Sequence, residues 1–149
     1  DGIEREKVSS GPSTMLVRVI ALGVTVAVVT GTVVTGAGPH AGDENAVRLN
    51  VDISTVARIH GASVIATLIA AVVLVIRLRA SAKDQRHLQA GFTKWLTVAM
   101  MQAVIGYVQY FTGVPELLVL AHVAGASLLY VATTQLLLDT SRPAVSLVR

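Results

Sequence analysis

The chain has 149 residues, of which 53% are hydrophobic and 14% are charged, with a formal net charge of +3 and no cysteine. The lack of cysteine excludes a disulfide framework, a thiolate zinc site and a cysteine nucleophile. The small positive charge does not indicate nucleic acid as a partner, because the basic residues lie beside apolar segments. This composition indicates a membrane protein in contact with lipid.

Four apolar blocks are long enough to cross a bilayer as helices, which takes about 20 residues each. They run from about residue 15 to 36, 55 to 76, 88 to 111 and 116 to 138. Gly, Pro and charged residues separate the blocks, with the longest gap at 37–53. The chain is therefore predicted to be all-α, a transmembrane up-down-up-down four-helix bundle.

The segment at 77–94 carries five Lys and Arg residues and is predicted to be a basic loop connecting the second and third helices. The positive-inside rule places this loop in the cytoplasm together with both chain termini. We expect a multi-pass protein of the cell inner membrane. The predicted divisions are a cytoplasmic lead-in at 1–14, a four-helix domain at 15–139 and a cytoplasmic tail at 140–149. The polar start is typical of a loop within a longer polypeptide, so the lead-in is interpreted as a linker.

Two histidines lie inside apolar blocks, His60 in the second and His122 in the fourth, and both show the pattern His-x-Ala-small. An ionisable side chain at membrane depth is costly and indicates a functional site by default. At a rise of 1.5 Å per residue, both lie about 10–12 Å from the outer start of their helices. The second and fourth helices are diagonal neighbours in such a bundle, so the two imidazoles can hold one haem iron from both faces.

The alternative is that the two histidines only form hydrogen bonds to neighbouring helices. Zinc or copper is disfavoured because no further ligand occurs at that depth, and a transporter site lacks paired acids within the spans. The third residue after each histidine is small, Ser63 and Gly125, where a bulky side chain would collide with a porphyrin.

Four other polar residues are candidates for weaker roles. Arg58 could pair with a haem propionate or anchor its helix at the membrane surface. His40, in the outer loop, could close over the haem edge or remain solvated. Gln102 is predicted to form hydrogen bonds between helices, and Gln109 is predicted to lie at the membrane interface.

Several segments together carry a family resemblance: GTVVTGAGPHAGD at 31–43, Arg-Ile-His at 58–60, QYFTGVP at 109–115 and Leu-Ala-His at 120–122. In order and spacing they resemble the bacterial haem A synthase family, through nearly the whole chain. The match is to the C-terminal four-helix half of that family. The resemblance implies that His60 and His122 are the axial ligands of haem b and that this half relays electrons.

The haem A synthase family oxidises a methyl group of haem O to the formyl group of haem A, for use in cytochrome oxidase. Its chemical pocket lies in the N-terminal half, with a glutamate followed three residues later by a histidine. This chain has no Glu-x-x-His within a predicted span. The resemblance therefore implies no catalytic residue here, the N-terminal half of the same enzyme as partner, and haem O as substrate of the whole enzyme.

Two other functions stay open on the sequence alone. One is a free-standing b-type membrane cytochrome that transfers electrons. The other, from a non-redox class, is a structural membrane subunit whose histidines only pack. The sequence also leaves open the redox partner and whether the protein forms homo-oligomers.

Overall fold

The computed structural model describes residues 5–39 and 47–143 and confirms the all-α bundle. His40 lies outside the described residues, and so does its predicted role. The elements in chain order are β1 (Arg5–Lys7), α1 (Gly11–Ala37), α2 (Ile53–Ala80), α3 (Ala82–Phe111), α4 (Glu116–Leu138) and β2 (Ser141–Pro143). The two short strands pair antiparallel, with Glu6 opposite Arg142.

The four helices alternate in direction. In the first hairpin, Gly36 of α1 contacts Leu49 just before α2, and Gly23 lies against Thr67 further along. In the second hairpin, α3 and α4 pack antiparallel in the same way. Helices α1 and α4 are also in contact, and α2 meets α3, so the helices form a closed ring of neighbours. Helices α2 and α4 lie across the diagonal.

The bundle has two distinguishable ends. The termini end contains Ser10, Ser81 and Thr140, and there the start of α1 contacts the start of α3 through Asp84. The hairpin end contains residues 47–52 and the tight connection between α3 and α4, where Gly113 adopts a φ of 76°. Such a left-handed conformation suits glycine, because it has no Cβ to clash with the backbone.

Three helices, α1, α2 and α4, are long and apolar enough to cross a membrane. Helix α3 has 30 residues but is less apolar, because its first half is rich in charged and amide side chains. Since α2 and α4 both run from the hairpin end to the termini end, α3 has to return across the same thickness. Tyr107, Tyr110 and Phe111 are exposed at its hairpin end, as expected of an interfacial aromatic group.

The helix starts at the termini end differ from the hydropathy-based boundaries. The lead-in was predicted to extend to residue 14, whereas α1 begins at Gly11. The Ser10 hydroxyl accepts from the Ser13 backbone N–H, and Pro12 occupies the first turn, where its missing N–H costs nothing. Capping, which hydropathy does not register, therefore sets this boundary.

The basic segment at 77–94 is helical rather than a loop. Helix α2 continues through Arg77 and Arg79 to Ala80, and Ser81 alone separates it from α3. The basic side chains in the last turn of α2 stabilise the negative end of its dipole. The Ser81 hydroxyl accepts from the Asp84 backbone N–H and so caps α3.

The apolar core is confined to the half of the bundle near the termini end. Its fully buried side chains include Ile20, Leu74, Leu88, Trp95 and Leu136. Among the described residues, no side chain is buried closer to the hairpin end than the level of Val24, Thr67 and Gln102. Among the described residues, buried side chains therefore occur only in the half near the termini end, which we call the packed half. The half near the hairpin end has only half-buried and exposed side chains, including both intramembrane histidines, and we call it the open half.

Candidate functional site: the histidine pair

His60 projects from the face of α2 that lines the bundle. It is two heptads from the fully buried Leu74, with buried Thr67 between them on the same face. Its imidazole is half-buried and lies against Gly31 of α1, where an added Cβ would come within 3.1 Å of Cε1. The absence of a side chain at Gly31 thus allows the ring to approach α1 closely.

One hydrogen bond fixes the orientation of the His60 ring. Its Nδ1 lies 2.9 Å from the Ala27 carbonyl oxygen, and Thr30 Oγ1 is 3.3 Å from the same nitrogen. Because a carbonyl can only accept, Nδ1 carries the proton and donates. The lone pair is therefore on Nε2, which is the nitrogen free to bind a metal.

His122 occupies the equivalent position in the second hairpin. It is two heptads from the buried Leu136, so it also projects from the bundle-lining face of its helix. Its imidazole is half-buried and lies against Gly106 of α3, where an added Cβ would come within 3.3 Å of Cε1. Unlike that of His60, its Nδ1 is buried and has no hydrogen-bond partner.

The two histidines therefore lie at one level of the bundle, each against a glycine of the preceding helix. They are on the diagonal helices α2 and α4. No other described side chain is buried at this level. The two imidazoles thus lie on bundle-lining faces at a level where the described side chains are at most half-buried.

The beginning of α2 is held firmly two turns before His60. The Asp52 carboxylate accepts from the Thr55 and Ser54 hydroxyls and from both of their backbone N–H groups. These hydrogen bonds, led by that of the Thr55 hydroxyl, lower the pKa of Asp52 to about 2. The cap therefore remains charged at neutral pH and satisfies the exposed N–H groups of the first turn.

Other residues predicted to belong to the site lie elsewhere or have other neighbours. Arg58 is exposed, and two positions along a helix place it on the side opposite His60. The Ser63 hydroxyl donates to the His60 carbonyl of its own helix. The space left by Gly125 is filled by the Gln102 amide, so this glycine accommodates a glutamine rather than leaving room for a porphyrin.

Sequence reasoning missed the Ala27 carbonyl as a partner of His60. Any residue can offer a carbonyl, so no residue type signals this role. Gly31 and Gly106 did carry a signal, because they occupy loosely corresponding positions in the two halves of the sequence. Their contact with the histidine rings depends on the register between helices, which hydropathy does not reveal.

Two imidazoles on diagonal helices of a bundle can bind one metal centre from both faces. Within residues 5–39 and 47–143, no group of three or more His, Asp or Glu side chains gathers around a common point. Comparison of the chain with family models, with curated proteins and with solved structures gives no match.

Proposed function

We propose that this chain binds one haem b between His60 and His122 and relays electrons through it, as the C-terminal half of a haem A synthase. The observation that carries the proposal is the matched pair of imidazoles, each against a glycine, at one level of the open half. The family assignment rests on the sequence resemblance at 31–43, 58–60, 109–115 and 120–122.

The two imidazoles of His60 and His122 suit the ligation of a haem iron. A porphyrin supplies four nitrogens to the iron, so two imidazoles complete the coordination without further protein ligands. The bond from His60 Nδ1 to Ala27 leaves Nε2 available, as an axial ligand requires. When bound, the haem supplies one-electron chemistry, while the protein binds it, orients it and excludes water.

The distribution of acidic residues supports electron relay over methyl oxidation in this chain. The four helices contain only Asp84 and Glu116, each in a first turn and therefore near a membrane surface. Neither lies at the level of His60 and His122. If His60 and His122 both hold the iron, oxygen and substrate would find no free coordination position there. We therefore assign methyl oxidation to the other half of the enzyme.

Absorption spectroscopy with histidine variants tests haem ligation. The purified chain, supplied with haem during expression, should show a six-coordinate low-spin spectrum and one haem per chain. His60→Ala and His122→Ala should each lose that spectrum, and added imidazole should restore it partly. The matched control is His87→Ala near the termini end, which should keep the wild-type spectrum. Retention of a six-coordinate low-spin spectrum in both site variants would refute the assignment.

The second candidate is a free-standing b-type cytochrome, which the lack of acidic residues near the histidines also fits. Co-expression with the N-terminal half of a bacterial haem A synthase separates the two functions. The relay proposal predicts haem A in extracts of the pair and none from either half alone. Haem binding without haem A formation in the pair would favour the free-standing cytochrome.

A further inference from the structure

The two histidine sites differ in the residue that lies one helical turn from the contacting glycine, towards the termini end. On α1, the residue one turn before Gly31 is Ala27, whose carbonyl accepts from His60 Nδ1. On α3, the residue one turn before Gly106 is Gln102. The first hairpin thus has a small residue, Ala27, whose backbone carbonyl accepts the hydrogen bond. The second hairpin has a residue with a long amide side chain, Gln102, at the corresponding position.

Gln102 is buried, with 8% of its surface exposed. Its amide extends across the α3–α4 interface into the space left by Gly125, which lies one turn along α4 from His122. Any side chain at residue 125 would collide with the amide. The Gln102 Oε1 atom is buried there without a hydrogen-bond partner. A buried acceptor without a hydrogen bond destabilises the protein, so its presence calls for a partner.

His122 Nδ1 is buried at the same interface and also has no partner. If His122 binds iron through Nε2, its Nδ1 carries a proton and is a donor. Gln102 Oε1 is an acceptor. The two unsatisfied atoms are therefore complementary, and they lie on the adjoining faces of α3 and α4, one turn apart.

We infer that Gln102 is the positioning residue of His122. Its Oε1 accepts a hydrogen bond from His122 Nδ1–H, directly or through one buried water, and so aims Nε2 at the iron. This role rests on the proposed haem ligation and adds to it a specific ligand-orienting side chain. It also makes the two axial histidines unequal, one held by a backbone carbonyl and the other by a side-chain amide.

Gln109 provides a matched control on the same helix. It also has a buried, unpartnered Oε1, but it is only half-buried as a residue. Along α3, Gln109 lies one turn from Gly106 towards the hairpin end, whereas Gln102 lies one turn from Gly106 towards the termini end. In the first hairpin the bonded carbonyl of Ala27 is on the termini side of the glycine. The correspondence between hairpins therefore favours Gln102 over Gln109.

The role predicts measurable changes in the iron centre. An imidazole whose Nδ1–H donates a hydrogen bond is a stronger electron donor, which stabilises ferric iron and lowers the reduction potential. Gln102→Leu removes the acceptor, so haem should bind about 10- to 100-fold more weakly and the potential should rise. Gln102→Glu keeps an acceptor oxygen of the same reach, so haem affinity should be retained and the potential should fall below that of wild type.

The experiment measures haem dissociation, the midpoint potential and the low-spin electron paramagnetic resonance signal of wild type, Gln102→Leu, Gln102→Glu and Gln109→Leu. The expected result is opposite potential shifts in the two Gln102 variants and no shift in Gln109→Leu. Unchanged affinity and potential in Gln102→Leu, or an equal shift in Gln109→Leu, would overturn the role of Gln102. Absence of haem from wild type would overturn the proposed function itself.

Discussion

The two halves of the bundle are built on different principles. Near the termini end, large apolar side chains such as Ile20, Leu74 and Trp95 are fully buried. Near the hairpin end, the facing positions hold small residues and two half-buried histidines, and no described side chain is buried. The first half completes its own core. In the second half the described side chains form no such core, as expected if a bound group completes the packing there.

The two halves also differ in whether their buried polar groups have hydrogen-bond partners. At the termini end, Asp84 is 1% exposed and accepts three hydrogen bonds, from the Ser10 backbone N–H and from the Ser10 and Ser13 hydroxyls. Near the histidines, by contrast, His122 Nδ1 and Gln102 Oε1 remain unsatisfied. Saturated polar groups indicate a structural role, whereas a buried polar group without a partner calls for an explanation, such as a ligand or water that completes its hydrogen bonds.

The largest expected effect on stability comes from breaking the polar cluster at the termini end. Asp84→Ala leaves the donors of half-buried Ser10 and buried Ser13 without their acceptor, which should lower the free energy of unfolding by about 3 kcal/mol. Thermal unfolding in a fixed detergent measures this change. Asp84→Asn is the matched variant, because its amide oxygen can still accept. If both variants unfold like wild type, the cluster does not hold α1 to α3.

The stability that the Asp84 cluster contributes should depend on pH and be lost in acid. Burial acts to raise the pKa of the Asp84 carboxyl, but hydrogen bonds from Ser10 and Ser13 outweigh it and hold that pKa below its usual value. The stabilisation is therefore complete above the unfolded pKa, about 3.9, and is lost as pH falls through the folded pKa. Wild type should lose its stability advantage over Asp84→Asn below about pH 4. A constant difference between the two at all pH values would contradict this linkage.

A smaller effect is expected from filling the space beneath a histidine. Gly31→Ala places a Cβ within 3.1 Å of His60 Cε1, so the ring must shift and its bond to Ala27 weakens. Haem should bind about tenfold more weakly, as when the hydrogen-bond partner of a metal ligand is lost. Gly61→Ala is the control, because nothing lies within 4 Å of a Cβ built at Gly61. Equal haem affinities for the two variants would show that Gly31 does not set the ring position.

The smallest predicted change concerns one hydrogen bond inside the packed half. Trp95 Nε1 donates to Thr133 Oγ1 at 2.9 Å, and both residues are buried. Thr133→Val keeps the shape but removes the acceptor, so unfolding should become easier by about 1 kcal/mol. Haem affinity should be unchanged, because this contact lies in the half away from the histidines. A loss of haem affinity in Thr133→Val would contradict the claim that packing near the termini end does not affect haem binding.

Hydropathy predicted the number, order and approximate extent of the four helices. It did not predict the helix boundaries at the termini end, because they depend on Ser10 and Ser81 as caps and on the buried Asp84. The charged residues at 77–94 predicted a loop, but Arg77 and Arg79 belong to the last turn of α2. Cations are favourable there because they lie near the negative end of the helix dipole. Hydropathy records average polarity, whereas these boundaries depend on specific hydrogen bonds.

The sequence also predicted that His60 and His122 lie at one level, since both follow the start of their helices by similar distances. The structure places both on bundle-lining faces, each against a glycine. The sequence could not reveal the partners of the imidazoles. Ala27 contributes only a carbonyl, and the position of Gln102 against Gly125 depends on the register between α3 and α4.

The most direct test of the account is amide hydrogen exchange of the protein in lipid nanodiscs, with and without haem. We predict that haem slows exchange in the hairpin half, at 25–37, 53–66, 103–111 and 116–129, because it binds between α2 and α4 there and restricts their opening. The packed half around Leu74 and Trp95 should exchange equally slowly in both states. Equal exchange of the hairpin half with and without haem, or protection only in the packed half, would contradict the account.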